Sequence, residues 1–319
     1  MRLLVTGGSG FIGSRLIDVL AAENKYEIVA VNRRSGLHFP VVVQSRIVQG
    51  LSQTTEWSDT LKGVDVVIHT AARAHVMSDY SADPLAEFRR INVEGTIRLA
   101  SHAVEAGVKR FIFLSSIKVN GESTVLSAPY HADSKPAPAD PYAISKMEAE
   151  QGLRVIAQET GMEVVIIRPT LVYGPGVKAN FLSMMRWLIS GIPLPFGAIH
   201  NRRSLVALDN LVDLIVTCID HPAAANETFL VSDGEDLSTT ELLHRMGTAL
   251  GVSARLLPVP AWLLMAGATV LGRKSLSQRL CGSLQVDITK TRERLEWEPP
   301  VSVAHALDGT ARHFLKHRN

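Results

Sequence analysis

A glycine-rich turn at the start of the chain is the feature that most constrains its fold. Residues 3–5 form a short apolar run typical of a buried strand, and residues 11–20 follow with helical periodicity. Gly7, Gly10 and Gly13 stand at GxxGxxG spacing around the junction. Gly7 permits a tight turn, Gly10 lets backbone N–H groups approach a pyrophosphate, and Gly13 lets helix and strand pack closely. The sequence therefore predicts a dinucleotide-binding strand, turn and helix.

Composition and charge narrow the class of protein. The chain has 319 residues, of which 46% are hydrophobic and 20% charged, as in a globular protein with a buried core. A balance of 33 basic against 31 acidic residues argues against broad attraction to nucleic acid. Cys218 and Cys281 show no metal-ligand spacing, so we expect reduced thiols in the cytoplasm and no metal site. The apolar segment 261–271 is shorter than the roughly 20 residues of a membrane span and predicts a core or substrate-domain helix.

Strands and helices alternate along the first half of the chain, which predicts an α/β fold with a doubly wound parallel sheet. After the first strand, we predict strands at 27–31, 46–48, 64–69, 111–114 and 164–167. Beyond Pro169 proline and glycine breakers interrupt the pattern. We therefore expect a Rossmann-type dinucleotide-binding domain over residues 1–170, with part of 200–235 returning to it. A smaller, partly interleaved C-terminal substrate domain is expected over 171–319.

The end of the second predicted strand bears on the choice of cofactor. An acidic residue there normally holds the adenosine ribose hydroxyls of NAD, whereas this chain has Asn32 followed by Arg33 and Arg34. Planar guanidinium groups suit a ribose 2′-phosphate, and no carboxylate repels it. The sequence thus favours NADP over NAD, with a solvated basic turn as the other explanation of the arginines.

Two histidines lie near the predicted carboxyl edge of the sheet. His69 ends the fourth strand without a partner in sequence, so we predict a packing or hydrogen-bonding role rather than catalysis. His75 lies in the loop beyond, where ligands bind in open α/β sheets. Leu51 is placed to touch the adenine, and the small residues Ala71 and Ala72 let the chain pass under a cofactor.

A long helix is predicted before the fifth strand. Asp83 is typical of an N-cap, Pro84 of the first helical position, and the pattern runs to about Ala106 before Gly107. Asn92 is unfavourable inside a helix, so it either faces water or is held by tertiary contacts.

Polar residues follow the fifth strand and open the next helix. Ser115 and Ser116 come directly after the strand, and a proline-rich loop then leads to a helix beginning at Pro141. Tyr142 and Lys146 are four residues apart on that helix and therefore share one face. A free phenol has a pKa near 10, so a neighbouring ammonium that favours the phenolate makes it a better acid–base group at neutral pH.

Together, the glycine turn, Ser116, Tyr142 and Lys146 resemble the extended short-chain dehydrogenase/reductase family, also described as NAD-dependent epimerases and dehydratases. The match covers nearly the whole chain and includes TGGSGFIG at 6–13, NVEGT at 92–96, SS at 115–116, YAISK at 142–146, RPTLVYGPG at 168–176 and DITK with LEWEP between 287 and 299. The resemblance implies that Tyr142 exchanges a proton with the substrate oxygen while hydride passes at nicotinamide C4. It also implies that Ser116 bonds the same oxygen and that Lys146 holds the nicotinamide ribose.

The cofactor-binding residues that we predict are Gly7, Gly10, Phe11, Ile12, Gly13, Asn32, Arg33, Leu51, Ala71, Ala72, Tyr142 and Lys146. Sugar-nucleotide dehydratases and decarboxylases of the family carry a glutamate two residues after the position of Ser116. This chain has Ile117 and Lys118 there, which disfavours 4,6-dehydration. Lys118 either contacts substrate phosphate or sugar, or faces solvent.

The second half of the chain resembles the nucleotide-sugar branch of the family. By that resemblance, Asn180 binds the diphosphate, Phe196 lies in the uracil loop, Arg203 is a pyrophosphate arginine and Arg279 is a second one. These residues predict a UDP-sugar as substrate. The resemblance also implies a homodimer through the helices that contain Asn92 and Tyr142.

The run SSIKVNGE at 115–122 resembles bacterial 4-keto-sugar reductases of surface-polysaccharide synthesis, including O-antigen and lipopolysaccharide. We therefore expect NAD(P)H-dependent reduction of the C4 ketone of a UDP-4-keto-6-deoxy-N-acetylhexosamine to UDP-N-acetylquinovosamine. One alternative is a UDP-hexose or UDP-N-acetylhexosamine 4-epimerase, which uses the same tyrosine and lysine. Others are a reductase of a non-nucleotide ketone and a dinucleotide-sensing regulator without catalysis.

Overall fold

The computed structural model describes residues 1–34, 36, 39–74, 83–270 and 280–318. The strands are β1 Arg2–Thr6, β2 Glu27–Asn32, β3 Val43–Ile47, β4 Val66–His69, β5 Arg110–Leu114, β6 Glu163–Pro169, β7 Leu171–Tyr173, β8 Arg203–Ala207, β9 Thr228–Val231 and β10 Asp236–Leu237. The helices are α1 Phe11–Glu23, α2 Pro84–Arg89, α3 Gly95–Glu105, α4 Pro141–Thr160, α5 Ala179–Ser190, α6 Leu208–Asp220, α7 Thr239–Ala249, α8 Ala261–Val270, α9 Thr289–Leu295 and α10 Val303–Lys316. A π-helical turn, Arg90–Glu94, joins α2 to α3.

A parallel sheet forms the centre of the larger part of the molecule. Within the described ranges it has seven strands in the order β3-β2-β1-β4-β5-β6-β9. Its inner strands are almost entirely apolar because helices cover both faces. Leu16 of α1 and Leu211 of α6 lie in the core on one face, and Leu99 of α3 and Leu153 of α4 in the core on the other. The predicted Rossmann-type, doubly wound sheet is confirmed.

The strand order reverses at β1, which pairs with both β2 and β4. The register places Leu4 opposite Val29 on one side and opposite Val67 on the other. The last residues of the two central strands, Thr6 and His69, are also register partners. The glycine turn after β1 therefore lies beside the loop after β4, in the crevice where open α/β sheets bind ligands.

A second, smaller sheet lies on the C-terminal side of the chain. In the described part of the chain its order is β10-β8-β7, and it shares a separate apolar core with α5, α7 and α10. Tyr173 of β7 stacks on Phe181 of α5 with ring centroids 5.1 Å apart. Between β8 and β10 the chain returns to the large sheet, where Phe229 of β9 pairs with Ile167 of β6. The two sheets are thus interleaved in sequence.

Several boundaries differ from the sequence prediction for local reasons. The third strand occupies Val43–Ile47 rather than 46–48, because it is an edge strand and its largely exposed residues lack an apolar pattern. The helix predicted after Asp83 begins as expected, with the Ala86 N–H donating to Asp83 Oδ1 at 3.0 Å. It continues without a gap through the π-helical turn into α3 and ends before Gly107, so its predicted extent is confirmed and only the π-helical turn within it was not predicted.

The apolar segment predicted as a core or substrate-domain helix forms α8 but is not a core helix. Trp262 is 64% exposed and Leu263 is 45% exposed. No helix in the described ranges is both long enough and apolar enough to cross a bilayer. Cys218 and Cys281 are free thiols.

Candidate active site

The glycine turn is a tight backbone cradle between β1 and α1. Gly7 has a φ of +72°, in the left-handed region, and a Cβ on it would lie 2.9 Å from the Ala71 nitrogen. A Cβ on Gly13 would lie 2.3 Å from the Gly7 carbonyl oxygen. The Gly10 N–H donates to that carbonyl at 2.8 Å, so this amide closes the turn itself. Side chains at Gly7 and Gly13 are therefore excluded by backbone contacts.

The first turn of α1 has the chemistry of an anion site. Gly10 is the N-cap and supplies no side-chain cap, and the helix begins with Phe11 and Ile12. The first N–H groups of a helix have no intrahelical partner, and they lie at the positive end of its dipole. The cradle therefore fits a pyrophosphate held by backbone N–H groups of the predicted residues.

Asn32 provides a buried acceptor at the end of β2. The residue is 3% exposed, and its Nδ2 donates to Ser45 Oγ at 3.5 Å. Its Oδ1 is buried without a hydrogen-bond partner, beside the backbone of Gly8. An unsatisfied buried acceptor at this position fits a hydroxyl donor such as a ribose hydroxyl. Arg33 next to it is exposed.

The other predicted cofactor residues lie around the same crevice. Ala71 is half-buried, and its N–H donates to Thr6 Oγ1 at 3.3 Å. Ala72 is exposed. Leu51 is half-buried and lies against Gly95, where an added Cβ would come within 2.7 Å of the leucine Cβ.

His69 is a buried hydrogen-bonding residue, as its sequence position indicated. Its Nε2 lies 3.0 Å from Thr96 Oγ1 and its Nδ1 lies 2.7 Å from Thr6 Oγ1. Because the Thr96 hydroxyl donates to the Asn92 carbonyl, it accepts from Nε2–H, and Nδ1 accepts from Thr6. Burial, followed by the charge of Lys146, lowers the pKa of His69 to about 3, so the ring is neutral. His75 lies outside the described residues.

Asn92 is held by tertiary contacts, which explains its place in the middle of a helix. It is 2% exposed and lies in the π-helical turn. Its Oδ1 accepts from the Arg73 N–H at 2.8 Å, and its Nδ2 donates to Ser145 Oγ at 3.0 Å. Ser145 in turn donates to the Tyr142 carbonyl at 2.7 Å. Asn92 therefore fixes the loop after β4 relative to α4.

Helix α4 places Lys146 under the end of β5. The lysine is 2% exposed, and its Nζ donates to the Leu114 carbonyl at 2.8 Å. The ammonium also lies 4.3 Å from the centroid of the Phe113 ring. Burial lowers the pKa of Lys146 to about 7, against the opposing charge of Glu150 one turn along the helix.

Tyr142 at the start of α4 and Ser116 just after β5 lie close enough for the Ser116 side chain to lower the pKa of the phenol. Burial, followed by the charge of Asp140, raises the pKa of Tyr142 to about 12, and Ser116 opposes both effects. The shift of the Tyr142 pKa has no contribution from Lys146, so the predicted acidification of the phenol by the lysine stays a prediction.

A buried polar network supports α4 from behind, and the sequence analysis did not identify it. Arg168 at the end of β6 donates to Glu150 of α4 at 2.5 and 2.9 Å. Ser115 donates to the same carboxylate at 2.5 Å, and Asn120 accepts from Arg168 at 3.0 Å. A possible signal was the placement of Ser115 and Arg168 at the ends of adjacent strands, with Glu150 one turn after Lys146.

Lys118 lies in an ion-pair cluster beside the catalytic tyrosine candidate. Its Nζ lies 3.1 Å from Glu122 Oε1 and also pairs with Asp140 Oδ2. Its backbone N–H donates to Ser116 Oγ at 3.3 Å. The side chain is 31% exposed, so it is neither a freely solvated lysine nor a buried one.

Three of the predicted substrate residues, Asn180, Phe196 and Arg203, lie in or beside the elements of the smaller sheet. Asn180 is half-buried at the second position of α5. Phe196 stacks on Trp187 with ring centroids 6.3 Å apart. Arg203 begins β8 and donates to the Gly282 carbonyl at 3.0 Å. Arg279 lies outside the described residues.

Comparisons with known proteins show that the chain is similar to UDP-sugar 4-epimerases. A UDP-glucose 4-epimerase of Vibrio cholerae is 48% identical over 99% of this chain and 96% of that protein. The structure of a UDP-glucose 4-epimerase from Thermotoga maritima with UDP-glucose covers 100% of both chains, with 25% identity and a TM-score of 0.78. A UDP-glucuronic acid 4-epimerase from Bacillus cereus with NAD also covers 100% of both chains, with 21% identity and a TM-score of 0.80, which is a likeness of fold.

The predicted reduction of a UDP-4-keto sugar to UDP-N-acetylquinovosamine is wrong. The relative with 48% identity is a 4-epimerase, and the two similar structures also carry 4-epimerase names. The physical reason is that both reactions use the same tyrosine, lysine and serine. Those motifs identify hydride and proton transfer at a sugar carbon, but they do not determine whether the hydride returns to the substrate.

A family model described as the NAD dependent epimerase/dehydratase family matches residues 3–232. That range includes the glycine turn, Ser116, Tyr142 and Lys146. It also includes six of the seven parallel strands in full, and all of β1 except Arg2. The chain is therefore an enzyme of the NAD-dependent epimerase/dehydratase family, within the extended short-chain dehydrogenases/reductases.

Proposed function

We propose that this enzyme interconverts the C4 epimers of a UDP-hexose, with NAD as a cofactor that ends each turnover in its starting oxidation state. The observation that carries the proposal is the 48% identity to the Vibrio cholerae UDP-glucose 4-epimerase over 99% of the chain. The similar structures with UDP-glucose and with NAD support the same classes of substrate and cofactor.

The residues around the glycine turn fit NAD better than NADP. The first-turn N–H groups of α1 hold the pyrophosphate, and the side-chain-free Gly7 and Gly13 give it room. The unpartnered Asn32 Oδ1 accepts a hydrogen bond from an adenosine ribose hydroxyl. A 2′-phosphate offers no donor to this oxygen at neutral pH, although the exposed Arg33 would suit one.

Tyr142 and Ser116 carry out the proton transfer of the reaction. Tyr142 takes the proton from the C4 hydroxyl of the sugar and later returns it, and Ser116 bonds the same oxygen. NAD, when bound, supplies the hydride acceptor and, in its oxidised form, the positive charge that favours the phenolate. Lys146, anchored on the Leu114 carbonyl, is in place to hold the nicotinamide ribose.

The UDP part of the substrate is assigned to the smaller sheet. Asn180 contacts the diphosphate from the first turn of α5, and Phe196, backed by Trp187, borders the uracil. Arg203 contributes a cation to the pyrophosphate. Arg279 keeps its predicted role as a second arginine.

The test is whether the enzyme isomerises a UDP-hexose without net oxidation or reduction of the nicotinamide cofactor. Purified enzyme incubated with UDP-galactose and no added reductant should yield UDP-glucose, detected by chromatography, with no net change in reduced nicotinamide. Mass spectrometry of extracted cofactor should find NAD rather than NADP. Tyr142→Phe should slow the reaction by about 10²–10⁴-fold. Tyr26→Phe, which changes a tyrosine between the C-terminal end of α1 and β2, should not.

Two results would overturn the proposal. One is stoichiometric consumption of reduced cofactor for each product formed. The other is the absence of interconversion with UDP-hexoses and UDP-N-acetylhexosamines alike. Failure of UDP to raise the melting temperature would point instead to a non-nucleotide ketone as substrate.

The homodimer stays a prediction, which sedimentation of the same preparation tests.

A further inference from the structure

The two ends of the candidate active site are joined by a loop over residues 120–140, which we call the connecting loop. It follows the turn that Ser116 caps, and it ends at the cap of α4, just before Tyr142. Within the loop, the Ala137 N–H donates to the Val119 carbonyl of that turn at 2.9 Å. The loop and the turn next to Ser116 are therefore held together.

A short segment, residues 282–287, lies between this loop and the smaller sheet, and we call it the strap. On one side, the Ser204 N–H of β8 donates to the Leu284 carbonyl at 2.9 Å. On the other side, the Asp287 N–H donates to the Tyr130 carbonyl of the connecting loop at 2.8 Å. Parallel β-bridges accompany both contacts. The strap thus attaches the loop to the smaller sheet.

Gln285 lies at the centre of the strap and uses each of its polar groups to join the two sides. Its backbone N–H donates to Thr124 Oγ1 at 3.0 Å, and its carbonyl accepts from the Tyr130 N–H at 2.9 Å. Its side-chain Oε1 accepts from the Ser127 N–H at 3.1 Å. Its Nε2 donates at 2.7 Å to Oδ2 of Asp236, a residue of β10. The side chain therefore bridges the connecting loop and the smaller sheet.

The amide of glutamine suits this bridge. The backbone N–H of Ser127 needs an acceptor, whereas the carboxylate of Asp236 needs a donor, and an amide supplies one of each. Asp236 is fixed in turn by its other oxygen, Oδ1, which accepts from Ser204 Oγ. Gln285 and Asp236 are both half-buried, so water competes only partly for these hydrogen bonds.

We infer that Gln285 is a positioning residue that fixes the connecting loop relative to the smaller sheet, so that a UDP-sugar anchored there presents C4 to Ser116 and Tyr142. This inference rests on the proposed function and deepens it. The nucleotide is assigned to the smaller sheet, whereas the proton-transfer groups lie at the edge of the larger one. Binding of the nucleotide aligns the sugar only if these two parts keep a fixed separation.

Exchanging the donor and the acceptor tests the bridge. Gln285→Glu keeps the acceptor for Ser127 but sets a carboxylate against that of Asp236, so the bridge should open. We expect kcat for the UDP-hexose to fall by about 10–100-fold, because the reacting atoms are then misaligned. KM and the Kd of UDP should stay within about threefold, because the nucleotide contacts are intact. Adding Asp236→Asn places a donor opposite the introduced carboxylate, and most of the lost kcat should return.

Hydrogen exchange provides a readout that does not depend on turnover. In the protein without substrate, the peptide that covers residues 124–130 should exchange faster in Gln285→Glu and return to the unmodified rate in the double variant. Peptides from β1 and β5 should keep their protection, which shows that the fold is intact. Gln158→Glu is the matched control, because it adds the same charge at an exposed glutamine of α4 and should leave kcat and exchange unchanged.

The outcomes separate this inference from the proposed function. Failure of Asp236→Asn to recover kcat and exchange in the Gln285→Glu background would overturn the inference. An unchanged kcat despite faster exchange of the loop would also overturn it, as would weaker UDP binding with kcat unchanged, which would make Gln285 a substrate contact. If the unmodified enzyme epimerises no UDP-sugar, the proposed function fails. The bridge between loop and sheet then stands if exchange recovers in the double variant, and it falls if exchange does not recover.

Discussion

The ion pair between Arg168 and Glu150 offers a quantitative test of the buried network behind α4. The two side chains are 4% and 3% exposed and meet through two hydrogen bonds of 2.5 and 2.9 Å. Arg168→Met leaves the Glu150 carboxylate in the protein interior without its cationic partner. It also removes the donor to Asn120 Oδ1 at 3.0 Å. Breaking a buried pair in this way should cost about 3–5 kcal/mol of the free energy of unfolding.

That loss is large against a typical stability of about 5–15 kcal/mol, so urea denaturation should resolve it easily. Arg312→Met is the matched control, since Arg312 and Asp308 are 67% and 56% exposed and their pair should be worth less than about 1 kcal/mol. The double variant Arg168→Met with Glu150→Leu should recover much of the stability, because no uncompensated charge remains. A loss below about 1 kcal/mol for Arg168→Met alone would refute the reasoning.

Three further predictions concern the cofactor crevice. Gly13→Ala places a Cβ 2.3 Å from a backbone oxygen and should weaken NAD binding in a fluorescence titration, whereas Gly309→Ala, with open space around it, should not. Asn32→Ala removes the unpartnered acceptor and should weaken NAD binding by about tenfold, while NADP binding changes less. His69 has a pKa of about 3 when folded and 6.5 when exposed. Between those two pH values only the unfolded state binds a proton at this histidine, so the free energy of unfolding should fall by up to about 1.4 kcal/mol per pH unit on acidification. Urea midpoints measure the fall, which should be less steep in His69→Asn.

Local patterns in the sequence were sufficient to predict the glycine turn and the helix face shared by Tyr142 and Lys146. Glycine at positions 7 and 13 is required by contacts with the adjacent backbone, so the spacing itself carries the information. The four-residue interval between Tyr142 and Lys146 likewise determines that they share a helix face. Edge strand β3 was misplaced because its exposed residues carry no apolar alternation.

The pKa values and ion pairs around the Tyr142 phenol could not be predicted from local sequence patterns. Sequence proximity of Tyr142 and Lys146 suggested an acidified tyrosine, but burial raises the pKa of Tyr142 to about 12 and lowers that of Lys146 to about 7. Lys118 and Asp140 are 22 positions apart, and nothing in their spacing predicts an ion pair. Their ion pair depends on the folded conformation of the loop that joins them.

By itself, the sequence determined the parallel α/β architecture and the glycine turn, and it predicted the proton-transfer residues, because each depends on short-range periodicity or on backbone space at a glycine. Only the tertiary structure decided how those residues are charged and supported. Arg168 reaches Glu150, Asn92 reaches Ser145, and Lys118 reaches Asp140. Burial and the distances between charges set the strength of such contacts, and both quantities exist only once distant segments are packed together.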